Sequence, residues 1–218
     1  MAQMRTTSPS EMERNMEKII VIFQRFAGKD GCADTMTYQE FEDFMKSELC
    51  SFSCNQKNKD VLKQMMKSVD GGMDKKPDDK LDFQEFLNLI GGMMVGCHAA
   101  LCKLPEGYKP NPSNKKPTDM ESSMENIIRI FQKYAGKGGD KYQMDYKEFE
   151  SFMKTELKTF TEGQKDPNIV QNLMKQMDGS VDDKKDGQIN FQEFMNLVGG
   201  IMVSCQEAML RSTHPKKP

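Results

Sequence analysis

The chain repeats itself. Met12-Glu13 returns as Met120-Glu121, Phe41-Glu42 as Phe149-Glu150, Phe83-Gln84-Glu85-Phe86 as Phe191-Gln192-Glu193-Phe194 and Gly91-Gly92 as Gly199-Gly200, always at an offset of 108 residues and without a gap. An ungapped duplication makes each copy a complete folding unit, so whatever one copy becomes the chain contains twice. Between the copies Pro105, Pro110, Pro112 and Pro117 interrupt a stretch with neither helical nor strand periodicity, which reads as a semi-extended linker. The expected organisation is a first domain over 1–102, a linker over 103–119, a second domain over 120–211 and a disordered tail over 212–218.

Within each copy the apolar residues recur at helical spacing. Met16, Ile19, Ile20, Phe23 and Phe26 lie on one face of a first helix that opens near Ser8-Pro9 or Ser10 and closes at Gly28. Phe41, Phe44, Met45 and Leu49 mark a second helix, Leu62, Met65 and Met66 a third, and Phe83, Phe86, Leu87, Ile90 and Met94 a fourth. Copy two gives the same set from Met124 to Val198, and no segment alternates long enough to predict an extended strand. The fold class is therefore all-α, with helix-loop-helix written twice per copy.

Charge and composition narrow the function. The 31 basic and 33 acidic side chains are interspersed, which argues against binding nucleic acid by neutralising phosphates. There is no charged segment followed by an apolar core at Met1–Ser10, and no apolar run is expected to approach the roughly 20 residues of a membrane span. Six cysteines without regular spacing read as free thiols of a reducing compartment. The expected location is the cytoplasm, with nuclear residence or release without a signal peptide also compatible. No nucleophile-base-acid arrangement repeats and no glycine-rich phosphate cradle follows a strand, so no enzyme is expected. His98 and His214 are the only histidines, and they read as packed or solvated groups more readily than as zinc ligands.

The chemistry then falls to the loops. A calcium-binding EF-hand loop of 12 residues supplies oxygens from positions 1, 3, 5, 7 and 9 and a glutamate at 12, with glycine at 6 for the turn. Counting back from Glu193 places Asp182, Lys184, Asp186, Gly187, Gln188 and Asn190 at positions 1, 3, 5, 6, 7 and 9. Lys184 cannot offer a lone pair. A second register starts at Asp178, with Ser180 and Asp182 following and four residues inserted before Gly187; both registers stay open. In copy one the matching residues are Asp74, Asp78, Lys80, Asp82 and Glu85, with Lys76 at position 3 and Asp79 where glycine is wanted. A solvated charge run without metal is the competing reading of these loops.

The earlier loop of each copy is more diagnostic. Phe131-Gln-Lys-Tyr-Ala-Gly-Lys-Gly-Gly-Asp-Lys-Tyr142, followed by Glu148-Phe149 and Thr155-Glu-Leu157, resembles the 14-residue pseudo-EF-hand of the S-hundred family of small dimeric calcium sensors. Gly163-Gln-Lys-Asp-Pro167, and Leu87-Asn-Leu-Ile-Gly-Gly92 with Cys97-His98 after it, are similar to the calgizzarin branch of that family. The likeness covers both copies almost end to end. It implies calcium as the cofactor, held in the first loops by the backbone carbonyls of Ala135, Gly138, Asp140 and Gln143 with Glu148, and of Ala27, Asp30, Cys32 and Thr35 with Glu40. One carboxylate per loop implies weak binding.

The resemblance further implies two four-helix EF-hand-pair domains that pair through their first and last helices. In this chain that predicts a monomeric, intramolecular pseudo-dimer, with Met16, Ile20 and Phe23 set against Met124, Ile128 and Phe131. Seventeen linker residues reach on the order of 50 Å at about 3.1 Å each, enough to allow it. The implied partner is an amphipathic helix of a protein of the annexin type, bound in a Met-rich groove, so that any membrane is met only indirectly. Two rivals remain, a calcium-insensitive scaffold and a calcium buffer that never opens. Lys76 and Lys184 favour the scaffold; Glu40, Glu85, Glu148 and Glu193 favour retained calcium binding.

Overall fold

The computed structural model describes residues 8–29, 34–53, 60–71, 77–104, 116–137, 141–181 and 184–213. Copy one runs α1 (Glu11–Phe26), β1 (Thr35–Thr37), α2 (Tyr38–Glu48), α3 (Cys50–Ser53), α4 (Asp60–Val69), β2 (Lys80–Asp82) and α5 (Phe83–Cys102). Copy two repeats this as α6 (Asp119–Tyr134), β3 (Gln143–Met144), α7 (Tyr146–Glu156), α8 (Lys158–Glu162), α9 (Ile169–Met177), β4 (Ile189–Asn190) and α10 (Phe191–Thr213). The all-α reading holds. What the periodicity did not show are the short turns α3 and α8 and four strands of two or three residues, too brief to display any alternation.

The helices start where the chain supplies caps. Ser10 accepts the Glu13 N–H while the Glu13 carboxylate accepts the Ser10 N–H, and Thr118 and Glu121 repeat this reciprocal box at the start of α6. Each box satisfies two amides that the first turn leaves open. At the other end Ala27 turns extended and Gly28 adopts a φ of 83°, a left-handed conformation that stops α1 without Cβ strain.

The apolar faces meet in one aromatic core per copy. Phe44 and Phe86 pack edge to face with centroids 5.1 Å apart, and Phe152 and Phe194 repeat the pair at 5.1 Å. All four rings are fully buried, each contributing about 1.5–3 kcal/mol relative to exposure.

The two copies pack on each other as an intramolecular pseudo-dimer, α1 against α6 and α5 against α10. The contacts are reciprocal, as a two-fold interface requires. Ser10 Oγ donates to the Glu156 carbonyl and Thr118 Oγ1 to the Glu48 carbonyl. The Thr159 N–H donates to Glu13 at 3.0 Å, and the Ser51 N–H to Glu121 at 3.1 Å. Each first helix thus docks its N-terminus on the end of the other copy's second helix. Across the middle of the α1–α6 crossing, Asn126 Nδ2 donates to Asn15 Oδ1 at 3.3 Å.

One expectation needs correction. Phe83–Cys102 is 20 residues long with a hydropathy of 1.3, so it meets the length and composition of a membrane span. Gln84, Glu85 and Asn88 in its first turns hide this from a search for an unbroken apolar run. Its apolar face is already used within the fold, since Phe83, Phe86, Leu89, Ile90 and Met94 are all buried.

Candidate metal centres

Four loops connect the helix pairs, and the strands join them two by two. β1 lies antiparallel to β2 with Met36 opposite Leu81, and β3 antiparallel to β4 with Met144 opposite Ile189. All four of these side chains are fully buried, so the ladder pins the back of each loop to the core and couples the two loops of a copy.

Each loop leads into a helix whose third residue is a buried glutamate. Glu40, Glu85, Glu148 and Glu193 are 4%, 7%, 8% and 2% exposed. Each sits in a capping box, behind Thr37, Asp82, Asp145 and Asn190. In three of the four the same carboxylate also reaches back across its loop. Glu40 Oε1 accepts the Lys29 N–H at 2.8 Å, Glu85 Oε1 the Gly71 N–H at 3.0 Å and Glu193 Oε1 the Gly179 N–H at 2.8 Å. One side chain therefore ties the end of the incoming helix to the start of the outgoing one.

The helix exits settle where the second loops begin. In the first loops Ala27 and Ala135 follow the last helical residue, their N–H groups donating to Phe23 and Phe131 at 2.8 and 2.9 Å. Asp70 and Asp178 stand at the same place after α4 and α9, bonded to Met66 at 3.0 Å and Met174 at 2.8 Å. A glycine with positive φ comes next in all four, Gly28, Gly71, Gly136 and Gly179. The second loops thus run from Asp70 to Glu85 and from Asp178 to Glu193, sixteen residues each and four more than a standard loop.

The aspartates at the exits organise the turn. Asp178 Oδ1 accepts the Asp186 N–H at 3.0 Å and Oδ2 the Gly187 N–H at 3.1 Å. Asp70 does the same for Asp78 and Asp79, both at 3.0 Å. Asp186 and Asp78 then accept the N–H groups of Gln188 and Lys80 at 3.0 Å. Asp178 and Asp186 thus brace one turn and Asp70 and Asp78 its counterpart, while among the described residues no three of these carboxylates are gathered closely enough to hold a metal ion. The structure departs between copies at the tip, where Gly187 has φ 73° and Asp79 is held at φ 60°.

Of the residues singled out from sequence, Ala27, Thr35, Glu40, Asp78, Lys80, Asp82, Glu85, Ala135, Gln143, Glu148, Asp186, Gln188, Asn190 and Glu193 lie on these loops or their edges. Asp30, Cys32, Asp74, Gly138, Asp140 and Asp182 fall outside the described residues. Asp82 and Asn190 serve as helix caps, their side-chain oxygens accepting the Glu85 and Glu193 N–H groups at 2.9 and 3.0 Å. Asp70 was missed from sequence altogether; its signal was the last apolar residue of the third helix, Val69, directly before it.

The donor set fits calcium. A hard cation requires oxygens only, and these loops offer carboxylates and backbone carbonyls with a buried glutamate at the closing position of every loop.

Paired helix-loop-helix units, joined by a short antiparallel ladder and closed by buried glutamates, define an EF-hand protein. The family model described as "S-100/ICaBP type calcium binding domain" matches residues 12–56 and again 120–164. Among curated relatives, "Protein S100-A11" of Gallus gallus is 46% identical over 104 residues, which is 47% of this chain and 99% of the relative. The proteins of the same name from Oryctolagus cuniculus and Homo sapiens are 45% and 44% identical, over 47% and 46% of this chain and 96% and 92% of their own lengths. The chain belongs to the S-100 family as a tandem duplication, similar to calgizzarin (S100-A11), and it binds calcium.

Proposed function

We propose that this chain is a non-enzymatic calcium sensor that clasps an amphipathic helix of a protein partner, the annexin type being the class its resemblance implies. The observation that carries this reading is an apolar cleft of about 340 Å³ between the copies. Met16 and Ile20 of α1 form one wall, Ile201 and Met209 of α10 the other, and Leu157 and Phe160 close the end at α8. A helix laid in such a cleft would anchor side chains at i, i+3 and i+4.

In copy two the proposed ligands are Asp178, Asp186 and Glu193 with the Gln188 carbonyl, and in the loop before it Glu148 with the carbonyls of Ala135 and Gln143. In copy one they are Asp70, Asp78, Glu85 and the Lys80 carbonyl, with Glu40 and the carbonyls of Ala27 and Thr35. Bound calcium would supply a double positive charge that draws these oxygens together. Glu193 spans from the exit of α9 to the start of α10, so a change in what its carboxylate meets alters how those two helices are held. α9 and α10 also line a neighbouring cleft through Leu173, Met177, Leu197 and Ile201, so the loop and the proposed partner cleft share α10.

Calorimetric titration of the full chain with calcium, alongside an apolar dye and an amphipathic helical peptide, tests the reading. A sensor gives heat, dye binding and peptide binding. Heat alone would make it a buffer, and no heat a scaffold.

A further inference from the structure

The duplication sets α1 beside α10 and α6 beside α5, and these two first helices have diverged. Glu17 lines the cleft between α1 and α10, and its counterpart in α6 is Glu125. Glu125 is neutralised within its own helix, since Arg129 Nη2 and Nε lie 2.6 and 3.1 Å from its Oε1. The residue in the place of Arg129 on α1 is Val21, 51% exposed. Among the described residues no cation reaches Glu17, and the nearest arginine in sequence, Arg14, donates instead to the Pro9 carbonyl. Glu13, the other carboxylate of the cleft, is already occupied by the N–H groups of Ser10 and Thr159 at 2.9 and 3.0 Å. The residues that line the cleft include two glutamates and no lysine or arginine.

We propose that the two inter-copy sides are unequal, and that the cleft between α1 and α10 selects an amphipathic helix whose polar flank carries a lysine or arginine against Glu17. This rests on the groove reading given above and adds the charge that such a partner must bear. The apolar floor of Met16, Ile20, Phe160 and Ile201 supplies contact without distinguishing one amphipathic helix from another. An acid at the rim with no cation beside it among the described residues does distinguish them, because it attracts a cation at no cost in breaking an existing pair. The same acid on α6 must first give up Arg129.

The test uses the full chain with calcium and two helical peptides of one apolar face, one with lysines along its flank and one with glutamines there, followed by fluorescence anisotropy at low salt. Glu17→Gln should weaken the lysine peptide by about two- to five-fold, the range of an exposed ion pair, and leave the glutamine peptide unchanged. Val21→Arg, which installs the internal pair of copy two, should do the same, while Glu125→Gln should leave the lysine peptide as tight as before. Equal binding of both peptides, or equal losses from Glu17→Gln and Glu125→Gln, would overturn the inequality while leaving the groove intact. Phe160→Ala should weaken both peptides alike; if neither peptide binds the unaltered chain, the groove reading fails and this proposal with it.

Discussion

The ring of His98 lies nearly parallel to that of Phe191, centroids 4.4 Å apart and planes 22° from each other, although the two residues belong to different copies. Phe131 meets the same imidazole edge-on at 5.4 Å. Copy one therefore inserts a titratable ring into the aromatic core of copy two, and the position that answers it in copy two is Gln206, also buried.

Burial holds the His98 imidazole below its ordinary pKa, and the described polar atom beside it is Cys102 Sγ at 3.5 Å from Nε2. Because the folded value is depressed, the unfolded chain binds more protons just below pH 6.5, so stability is full above that pH and falls as the solution is acidified towards the folded value. Melting temperatures measured across pH 5–7.5 should show this decline, and His98→Gln, which copies the other half, should flatten it. An unchanged pH profile in the variant would assign the decline elsewhere.

How far the sequence reaches is plain from the loops. The long helices, their order and the duplication follow from period and offset because their buried apolar residues recur at three- and four-residue spacing, a local rule. The closing glutamates follow too, since each ends an EF-hand-like loop and is followed by a phenylalanine, Phe41, Phe86, Phe149 or Phe194. The register of the second loops does not, because it depends on where α4 and α9 stop. Asp178 and Asp182 are equally acidic on paper, and only the helix exit and the amides of Asp186 and Gly187 separate them. The reciprocal docking of Glu13 on Thr159 and Glu121 on Ser51 was equally invisible, being a contact between halves distant in sequence.

The register gives a direct expectation for calcium binding. Asp178→Ala should weaken the site in the second loop of copy two by at least about tenfold, or roughly 1.4 kcal/mol, since it removes a proposed ligand and the anchor of the turn together. Glu193→Gln should remove that site. A large gain from Lys184→Asp with no effect of Asp178→Ala, read by calorimetry, would instead start the loop at Asp182.

Asp79 adopts a left-handed conformation at the tip where copy two has Gly187. Such a backbone costs a residue with a Cβ about 1 kcal/mol, somewhat less for aspartate, and glycine nothing steric. Asp79→Gly should raise the melting temperature by a few degrees and bring the copy-one loop closer to its copy-two equivalent in a calcium titration. Gly187→Asp is the opposite change and should lower both.

Glu156 is 4% exposed and joins both halves, with Oε1 accepting from the Tyr134 hydroxyl and Lys133 Nζ at 3.1 Å and Oε2 from the Met12 N–H at 3.4 Å. Removing the carboxylate strands the buried Met12 amide, at about 1–3 kcal/mol when left unpaired, and leaves the Tyr134 hydroxyl with Thr155 alone. Glu156→Ala should therefore destabilise the chain by several degrees in thermal unfolding. Glu162→Ala, which loses only an exposed pair with Lys158 at 3.7 Å, should stay within about 0.5 kcal/mol of the parent.

Assembly follows from reciprocity. The inter-copy bonds that dock the first helices are mirrored in the same chain: Ser10 with Thr118, Glu13 with Glu121, Met12 with Met120, each set against the end of the opposite second helix. A pair docked in this way uses both halves of the α1–α6 contact within one chain, and the linker holds the second copy at an effective concentration of roughly millimolar. Light scattering at micromolar protein should thus give the 24.9 kDa of a single chain, and the melting temperature should not depend on protein concentration. Proteolysis within the linker should then make the melting temperature fall on dilution, as the tethered pairing becomes bimolecular. A two-chain mass that survives dilution would mean that each copy pairs with one in another molecule.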